Sequence, residues 1–231
     1  MSIVTRLDTP LRPMRLQEIS TQSVLCCLNL LDCLTKGISQ YLPEIDVREG
    51  TAGLDLPELH ASAGQPVLAM FNPESNPAII KSTAENLHRH QIPFLMISKS
   101  FKPAWLSWAI QYGCRGCLSK FTPIHTLCTQ ISELFEHPQT YYWCPQAAEW
   151  LKQVKGRWQL TGNNVRNLLT PRQFEVFLHL ADGYSMKETA RLMNLTEKSV
   201  DCHKYRLMKR LRLHDRVQLC KLAIREGWIE A

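Results

Sequence analysis

The sequence of 231 residues lacks any run of about 20 apolar residues, which is the length that a membrane-spanning helix needs. The early segment LQEISTQSVLCCLNLLDCLTKG is interrupted by Asn29 and Asp32, so it does not have the continuous apolar run of a secretory signal. A nucleophile–base constellation, a phosphate-binding loop, internal repeats and low-complexity tracts are also lacking. These absences predict a soluble cytoplasmic protein that is neither an enzyme nor a cofactor-binding protein, and that has no membrane partner.

The cysteines lack the pattern of a disulfide framework. There are nine of them, an odd number without regular spacing, which is typical of reduced thiols in a cytosol. Cys114 and Cys117 form a C-x-x-C, but a structural zinc site needs four ligands and the chain has no second pair at suitable spacing. A redox dithiol lies at a helix N-terminus, whereas this pair leads into a predicted strand. We interpret the two as core cysteines and predict no metal site, and a thiol- or metal-sensing role remains the alternative.

The composition is that of an ordinary globular protein, with 45% hydrophobic and 21% charged residues and a net charge of +6. The length allows two small domains. We predict a flexible arm over 1–20, an α/β domain over 21–138, a linker over 139–167 and an all-α domain over 168–231. A short linker helix is predicted at Pro145–Val154.

The last 64 residues carry start and stop signals for four helices. The predicted N-terminal caps are the capping boxes of Thr170 with Gln173 and Ser185 with Glu188, followed by Thr196 and Asp215. Gly183, Asn194 and Gly227 can supply the left-handed residue that ends a helix. Apolar residues at three-to-four spacing predict the packed faces: Val176, Phe177, Leu180 and Ala181, then Ala190, Leu192 and Met193, then Val200, Leu207, Met208 and Leu211. Two short helices joined at 195–196 and packed on a third make a helix-turn-helix, whose second helix can enter a major groove.

Positive charge is concentrated in the same segment. From 168 to 231, 12 Lys and Arg against 8 Asp and Glu contribute +4 of the whole-chain +6. Clustered cations on one helix suit contact with phosphates.

This segment resembles the four-helix LuxR/NarL-type DNA-binding domain along its full length. The resemblance is carried by the leading Leu-Thr-Pro-Arg, the Ser-x-Lys-Glu-x-Ala turn, Glu-Lys-Ser-Val and the terminal Arg-Glu-Gly. It implies that 196–211 is the recognition helix and that 215–226 is the helix through which such domains form dimers. The family commonly has a lysine where Asp201 stands, and a carboxylate would accept from a cytosine amino group, so the family's usual site preference does not carry over.

The predicted partner is double-stranded DNA, bound by a homodimer. The predicted DNA-contacting residues are Lys198, Ser199, Asp201, Cys202, His203, Lys204, Tyr205, Lys209 and Arg210. Among them Lys198, Lys204, Lys209 and Arg210 are expected to hold phosphates, and Asp201, Cys202 and Tyr205 to face base edges. For His203, packing within the domain is as good an interpretation as a DNA contact.

The region over 21–138 alternates short apolar runs with amphipathic ones, which predicts a parallel sheet with helices on both faces in a flavodoxin-like order. Five strands are predicted, at Ser23–Leu28, Ile45–Arg48, Pro66–Phe71, Pro93–Ser98 and Gly116–Ser119. Five helices are predicted, at Leu30–Leu42, Leu54–Ala63, Pro77–His90, Ala104–Tyr112 and Pro123–Phe135.

This region resembles a response-regulator receiver domain, through PVLAMFN, PFLMISK and GCRGCLSKFTP. The resemblance places Ser98 and Lys120 at the receiver's hydroxyl and lysine positions. The phosphoacceptor falls on Asn72 and the acidic pair on Asn29 and Leu30, so all three carboxylates are missing. An amide cannot form an acyl phosphate, and this pair offers no charge to Mg²⁺. The sequence predicts a pseudo-receiver, unless a shifted register lets Asp32 or Glu74 substitute.

Together these patterns predict a dimeric, sequence-specific DNA-binding transcriptional regulator that acts independently of aspartyl phosphorylation. The first rival is a protein-interaction adaptor, in which a protein partner binds the pseudo-receiver face. The second is the regulator that senses thiols or metals through Cys114 and Cys117.

Overall fold

The structure is a computed structural model that describes residues 3–5, 23–28, 30, 32–50, 65–74 and 80–230. The chain divides into two compact units, with the main boundary between Gln159 and Leu160. The helix predicted at Leu54–Ala63, residue Asn29 and most of the arm over 1–20 lie outside the described residues. No helix in the described ranges is long and apolar enough to cross a membrane.

The first unit is built on a seven-stranded sheet. Its strands are β1 (Ile3–Thr5), β2 (Val24–Leu28), β3 (Asp46–Gly50), β4 (Val67–Phe71), β5 (Phe94–Ser98), β6 (Cys114–Ser119) and β7 (Tyr141–Trp143). The order across the sheet is β1-β7-β6-β5-β4-β2-β3, and every neighbouring pair is parallel except β1 with β7. The five predicted strands and their flavodoxin-like order are confirmed. Two further strands, β7 and β1, extend the sheet beyond β6, and β1 lies within the segment expected to be a flexible arm.

Strand β2 shows why both faces of this sheet are covered. All five of its residues are buried, and because side chains alternate between faces, the even and odd positions are covered by different layers. The helices of this unit within the described residues are α1 (Asp32–Tyr41), α2 (Ile80–Arg89), α3 (Pro103–Gln111), α4 (Ile124–Glu136) and the single turn α5 (Pro145–Ala148). Leu25 and Cys27 belong to the core that Ile38 of α1 and Ile131 of α4 help to form.

The helix predicted at Pro145–Val154 is wrong over most of its length. The chain forms only the four-residue α5 and then a two-stranded sheet of β8 (Leu151–Val154) and β9 (Arg157–Leu160). Lys155 and Gly156, between these strands, both have positive φ, which is the backbone that a two-residue hairpin turn requires. Trp158 of β9 packs against Trp143 of β7, with ring centroids 5.3 Å apart.

The second unit is all-α. It contains the turn α6 (Val165–Leu168) and the helices α7 (Pro171–Ala181), α8 (Met186–Leu192), α9 (Glu197–Leu211) and α10 (Arg216–Glu226). The predicted caps Thr170, Ser185, Thr196 and Asp215 each accept a hydrogen bond from the amide three residues on. The four predicted helices are therefore confirmed, together with both capping boxes.

Candidate nucleic-acid interface

The turn between α8 and α9 is closed by local hydrogen bonds. Asn194 adopts a left-handed backbone with φ of 53°, and the Leu195 amide donates to the Ala190 carbonyl at 2.9 Å. The Thr196 hydroxyl then accepts from the Ser199 amide and starts α9. Because the left-handed residue and the next cap are only two positions apart, α8 and α9 are joined by a tight turn, as a helix-turn-helix requires.

The inner side of α9 is fixed by packing against α7 and α8. Val200 and Leu207 are fully buried, two helical turns apart, and so mark a single face. Ala190 and Met193 are buried as predicted, whereas Leu192 is 55% exposed and does not belong to the packed stripe. The short α8 thus contributes a narrower apolar face than its sequence suggests.

The opposite side of α9 is open. We call seven of its exposed residues the exposed α9 face: Lys198, Asp201, Cys202, Tyr205, Arg206, Lys209 and Arg210; Glu197, in the first turn of the helix, is exposed as well. Four of the seven side chains are cationic and one is anionic. Tyr205, 68% exposed, presents an aromatic ring between the charged groups. An exposed helix face with this balance can contact phosphates through its cations and base edges through its shorter or flatter side chains.

The one acid on this face has a cationic neighbour on the same helix. Lys204 Nζ lies 3.5 Å from Asp201 Oδ1, with side-chain exposures of 44% and 68%. A pair this exposed contributes about 0–1 kcal/mol to stability, so either partner can exchange it for another contact at little cost.

Three predicted residues of α9 are half-buried and are not part of this face: Ser199, His203 and Lys204. Ser199 is half-buried, and its hydroxyl lies 2.8 Å from that of Thr196 at the start of the helix. His203 is half-buried as well, and its Nδ1 has no hydrogen-bond partner among the residues that the structure describes. The structure thus places all nine predicted residues on α9, six of them exposed.

Helix α10 is tied to the start of this unit by a buried carboxylate that sequence reasoning missed. Glu226 is 7% exposed and accepts from the Val165 amide with both oxygens and from Trp228 Nε1 at 3.0 Å. Nothing in the neighbouring sequence signals the burial of Glu226, because its donors come from two segments that meet only in the folded domain. Val217 on the same helix is 62% exposed.

The carboxyl ends of the parallel strands bring together four residues predicted for the degenerate pocket. Asn72 follows β4, Ser98 ends β5, Lys120 follows β6 and Leu30 comes two residues after β2. The Asn72 side chain accepts from the Glu74 amide at 2.9 Å, and the Lys120 ammonium lies 5.7 Å from the centre of the Phe121 ring. Ser98 is fully buried, and its hydroxyl donates to Glu74 Oε1 at 2.8 Å.

The C-x-x-C is part of the core. Cys114 and Cys117 are both buried, and burial together with the neighbouring Cys114 thiol raises the pKa of Cys117 well above its usual value. Gly116 between them is required because a Cβ there would lie 2.7 Å from the Tyr142 carbonyl oxygen of β7. The described residues contain no group of three or more metal-ligating side chains. The burial of both thiols disfavours the redox role, because a protonated, buried thiol is a poor nucleophile.

The fold and the exposed α9 face define a class of protein: a receiver-like α/β domain followed by a helix-turn-helix domain. Comparison with known proteins supports this class. Residues 167–223 match the sequence profile of the bacterial regulatory proteins of the luxR family. The chain therefore carries a LuxR-family helix-turn-helix domain at its C-terminus, and its homologues are response regulators.

Two relatives show how far the similarity extends. The uncharacterized response regulatory protein YgeK of Escherichia coli is 39% identical over 61 residues, which are 26% of this chain and 42% of YgeK. The chain thus spans less than half the length of that relative. The response regulator protein VraR of Staphylococcus epidermidis is 23% identical over 199 residues, which cover 84% of this chain and 92% of VraR.

Solved structures of RcsB share the fold. RcsB from Salmonella enterica serovar Typhimurium, bound to promoter rprA in the presence of phosphomimetic BeF3-, superimposes with a TM-score of 0.51 at 14% identity, covering 87% of this chain and 98% of RcsB. A structure of two RcsB dimers bound to two parallel DNAs gives a TM-score of 0.50 at 14% identity, covering 88% of this chain and 98% of that one.

Proposed function

We propose that this protein is a sequence-specific DNA-binding transcriptional regulator that reads the major groove with the exposed α9 face. The observation that carries the proposal is the division of α9 into two sides. Val200 and Leu207 fix the helix from within, and the opposite side presents four cations around Tyr205. A helix held this way is rigid, so its contacts with DNA need little ordering of the protein.

The contacts divide by chemistry. Lys198, Lys204, Lys209 and Arg210 neutralise phosphates and set the position of the helix on the duplex. Asp201, Cys202 and Tyr205 face base edges. On release from Lys204, the Asp201 carboxylate accepts from a cytosine amino group, which gives a site preference different from that of a lysine at the same place.

We propose that two copies bind together through α10. Val217 exposes an apolar side chain on this helix, one turn before the exposed Lys221. A two-fold arrangement of α10 would place the two α9 helices on successive half-sites of a symmetric duplex. RcsB, which shares the fold, has been seen as dimers on DNA.

We further propose that the regulator does not depend on aspartyl phosphorylation, because Asn72 stands at the end of β4 where the receiver resemblance places the acceptor. Its amide oxygen is already bonded to the Glu74 amide. Incubating the full-length protein with acetyl phosphate and Mg²⁺ should leave its mass unchanged. A phosphorylated residue mapped between 20 and 135 would contradict this part of the proposal.

Selection on a random duplex pool tests the DNA-reading role. The purified full-length protein should enrich a two-fold symmetric site at moderate salt. The isosteric variant Asp201→Asn should enrich a site of the same length and symmetry that differs at one position of each half-site, because only one base contact has changed. No retention of DNA at any salt would contradict the proposal and favour the adaptor role.

A further inference from the structure

The turn after β4 carries Glu74 back over the neighbouring strand. Asn72 Oδ1 accepts from the Glu74 amide at 2.9 Å, which is the hydrogen bond of an Asx-turn. Pro73 is buried within this turn. The result is that the carboxylate of Glu74 lies at the end of β5, 24 residues further along the chain.

Two donors from the end of β5 meet at a single oxygen of this carboxylate. Glu74 Oε1 lies 2.8 Å from Ser98 Oγ and 3.2 Å from the Lys99 amide nitrogen. Ser98 is fully buried, so its hydroxyl has no access to bulk water. A hydroxyl and a backbone amide that converge on one oxygen form a donor pair suited to an oxyanion.

Ser98 Oγ also lies 2.5 Å from the Ser100 carbonyl oxygen, a second possible acceptor, and it accepts from the Ser100 amide at 3.2 Å. A hydroxyl has one proton to donate, and the bond to a charged carboxylate is roughly twice as strong as one to a neutral carbonyl. The Ser100 amide, for its part, holds the hydroxyl oxygen in place. The donor pair is therefore preorganised by the loop of residues 98–100.

We propose that the Ser98 hydroxyl and the Lys99 amide form an oxyanion-binding site whose resident ligand is the Glu74 carboxylate. The site lies at the edge of the sheet where Asn72, Ser98 and Lys120 meet, which the receiver resemblance assigns to a phosphoryl group. An internal carboxylate thus takes the place of an external anion and holds the turn after β4 on the end of β5. The inference concerns the first domain alone and does not rest on the DNA-binding role.

Chemical rescue by a free carboxylate tests this assignment in the full-length protein. Glu74→Ala should speed hydrogen exchange of the Lys99 amide about tenfold or more, because a bond to a charged acceptor is lost. Sodium acetate should then slow the exchange again in a saturable way, and inorganic phosphate should do the same. In the wild-type protein, neither salt should change the exchange rate more than sodium chloride does at equal ionic strength.

Three further variants separate an anion site from an ordinary turn contact. Glu74→Gln keeps the shape of the side chain and an acceptor oxygen. Its Lys99 amide should therefore exchange at an intermediate rate, and acetate should not change that rate. Ser98→Ala in the Glu74→Ala background should abolish the rescue, since one of the two donors is gone. Glu85→Ala removes an exposed carboxylate of α2 and should leave Lys99 exchange unchanged.

The proposal is overturned if Glu74→Ala leaves the exchange of Lys99 unchanged, if chloride rescues as well as acetate, or if rescue persists without the Ser98 hydroxyl. Duplex binding, measured on the same variants, tests the proposed DNA-binding role of the exposed α9 face. Hydrogen exchange of Lys99 tests the oxyanion site, so each proposal can fail without affecting the test of the other.

Discussion

Lys209 is exposed in the last turn of α9, and we assign it to a phosphate rather than to a base. A phosphate contact carries no sequence information, but it releases about one counterion from the duplex. The residues of the exposed α9 face can therefore be sorted by how each one changes the salt dependence and the sequence dependence of binding.

Lys209→Gln should weaken binding to all duplexes and lower the slope of log K against log salt concentration by about one unit. Fluorescence anisotropy at several salt concentrations, on an enriched and a scrambled duplex, gives both quantities. Lys152→Gln, an exposed lysine of β8 in the other unit, is the matched control and should leave the slope unchanged. A loss of affinity for the enriched duplex alone, with unchanged affinity for the scrambled duplex, would contradict the assignment of Lys209 to a phosphate.

Glu188, in the capping box of α8, makes stability depend on pH. The hydrogen bond with Ser185 is the main cause that holds the pKa of Glu188 below its usual value, and Arg191 and Arg216 add to it. Because the folded-state pKa is lowered, this stabilisation is present above the unfolded pKa of about 4.3 and is lost as pH falls through the folded value.

Glu188→Gln should accordingly lower the unfolding midpoint at pH 7, and the difference from wild type should shrink as pH falls below about 4. Urea unfolding between pH 7 and pH 3 measures it. In a Ser185→Ala background the effect of Glu188→Gln should be smaller at every pH, because the principal hydrogen bond is absent. If the difference in unfolding midpoint between Glu188→Gln and wild type grows toward low pH, the pKa of Glu188 is not lowered by folding.

Helix α10 is fixed through a contact that joins residues 61 positions apart. The Glu226 carboxylate links the Val165 amide to the Trp228 indole, so it connects the first and last segments of the domain. This contact acts together with the buried Leu219 and Ala223 to hold α10 at its place in the fold.

Glu226→Ala should destabilise the helical domain by about 2–5 kcal/mol, since two buried donors lose their acceptor. Hydrogen–deuterium exchange should rise in peptides covering 165–168 and 216–228 and stay unchanged in β4 and β5. Glu230→Ala, an exposed acid beyond the helix, serves as the control. Equal exchange in wild type and Glu226→Ala would mean that the carboxylate does not hold the helix.

Some elements could be predicted from the sequence because their signals are local. Thr170, Ser185 and Asn194 act within a few residues, and the structure shows each in the predicted role. Leu151–Val154 was assigned to a helix because its apolar spacing fits one, but Trp158 packs on Trp143 and the Lys-Gly turn folds the segment back as a hairpin. Long-range packing of this kind has no local signal.

The same distinction applies to the candidate sites. The nine predicted residues of α9 could be identified from the sequence because a single helix carries them all. Glu74 was considered only as a substitute phosphoacceptor, and its contact with Ser98 depends on the order of the strands in the sheet. Arg212, which ends α9 with φ of 56°, was missed because an arginine rarely adopts this backbone.

In the assembled protein, we expect α10 to set the number of copies that bind DNA. Val217→Asp places a charge on the exposed apolar position and should shift the protein toward monomer, because burying an unpaired charge in an interface is costly. Analytical ultracentrifugation over a concentration series measures the shift, and Tyr41→Ser, at an exposed position of α1, is the control. A protein that remains dimeric with Val217→Asp would place the interface elsewhere.

The central claim, that the exposed α9 face lies against DNA, can be tested by alkylation because two exposed cysteines occupy informative positions. Cys202 lies on that face and Cys33 lies on α1, while Cys26 and Cys27 are buried with pKa values raised to about 11 and about 12 by desolvation. Brief treatment of the full-length protein with iodoacetamide, with and without saturating duplex, is followed by mass spectrometry of each peptide. The account predicts that duplex slows alkylation of Cys202 several-fold and leaves that of Cys33 unchanged. Equal alkylation of Cys202 in free and duplex-bound protein would contradict it.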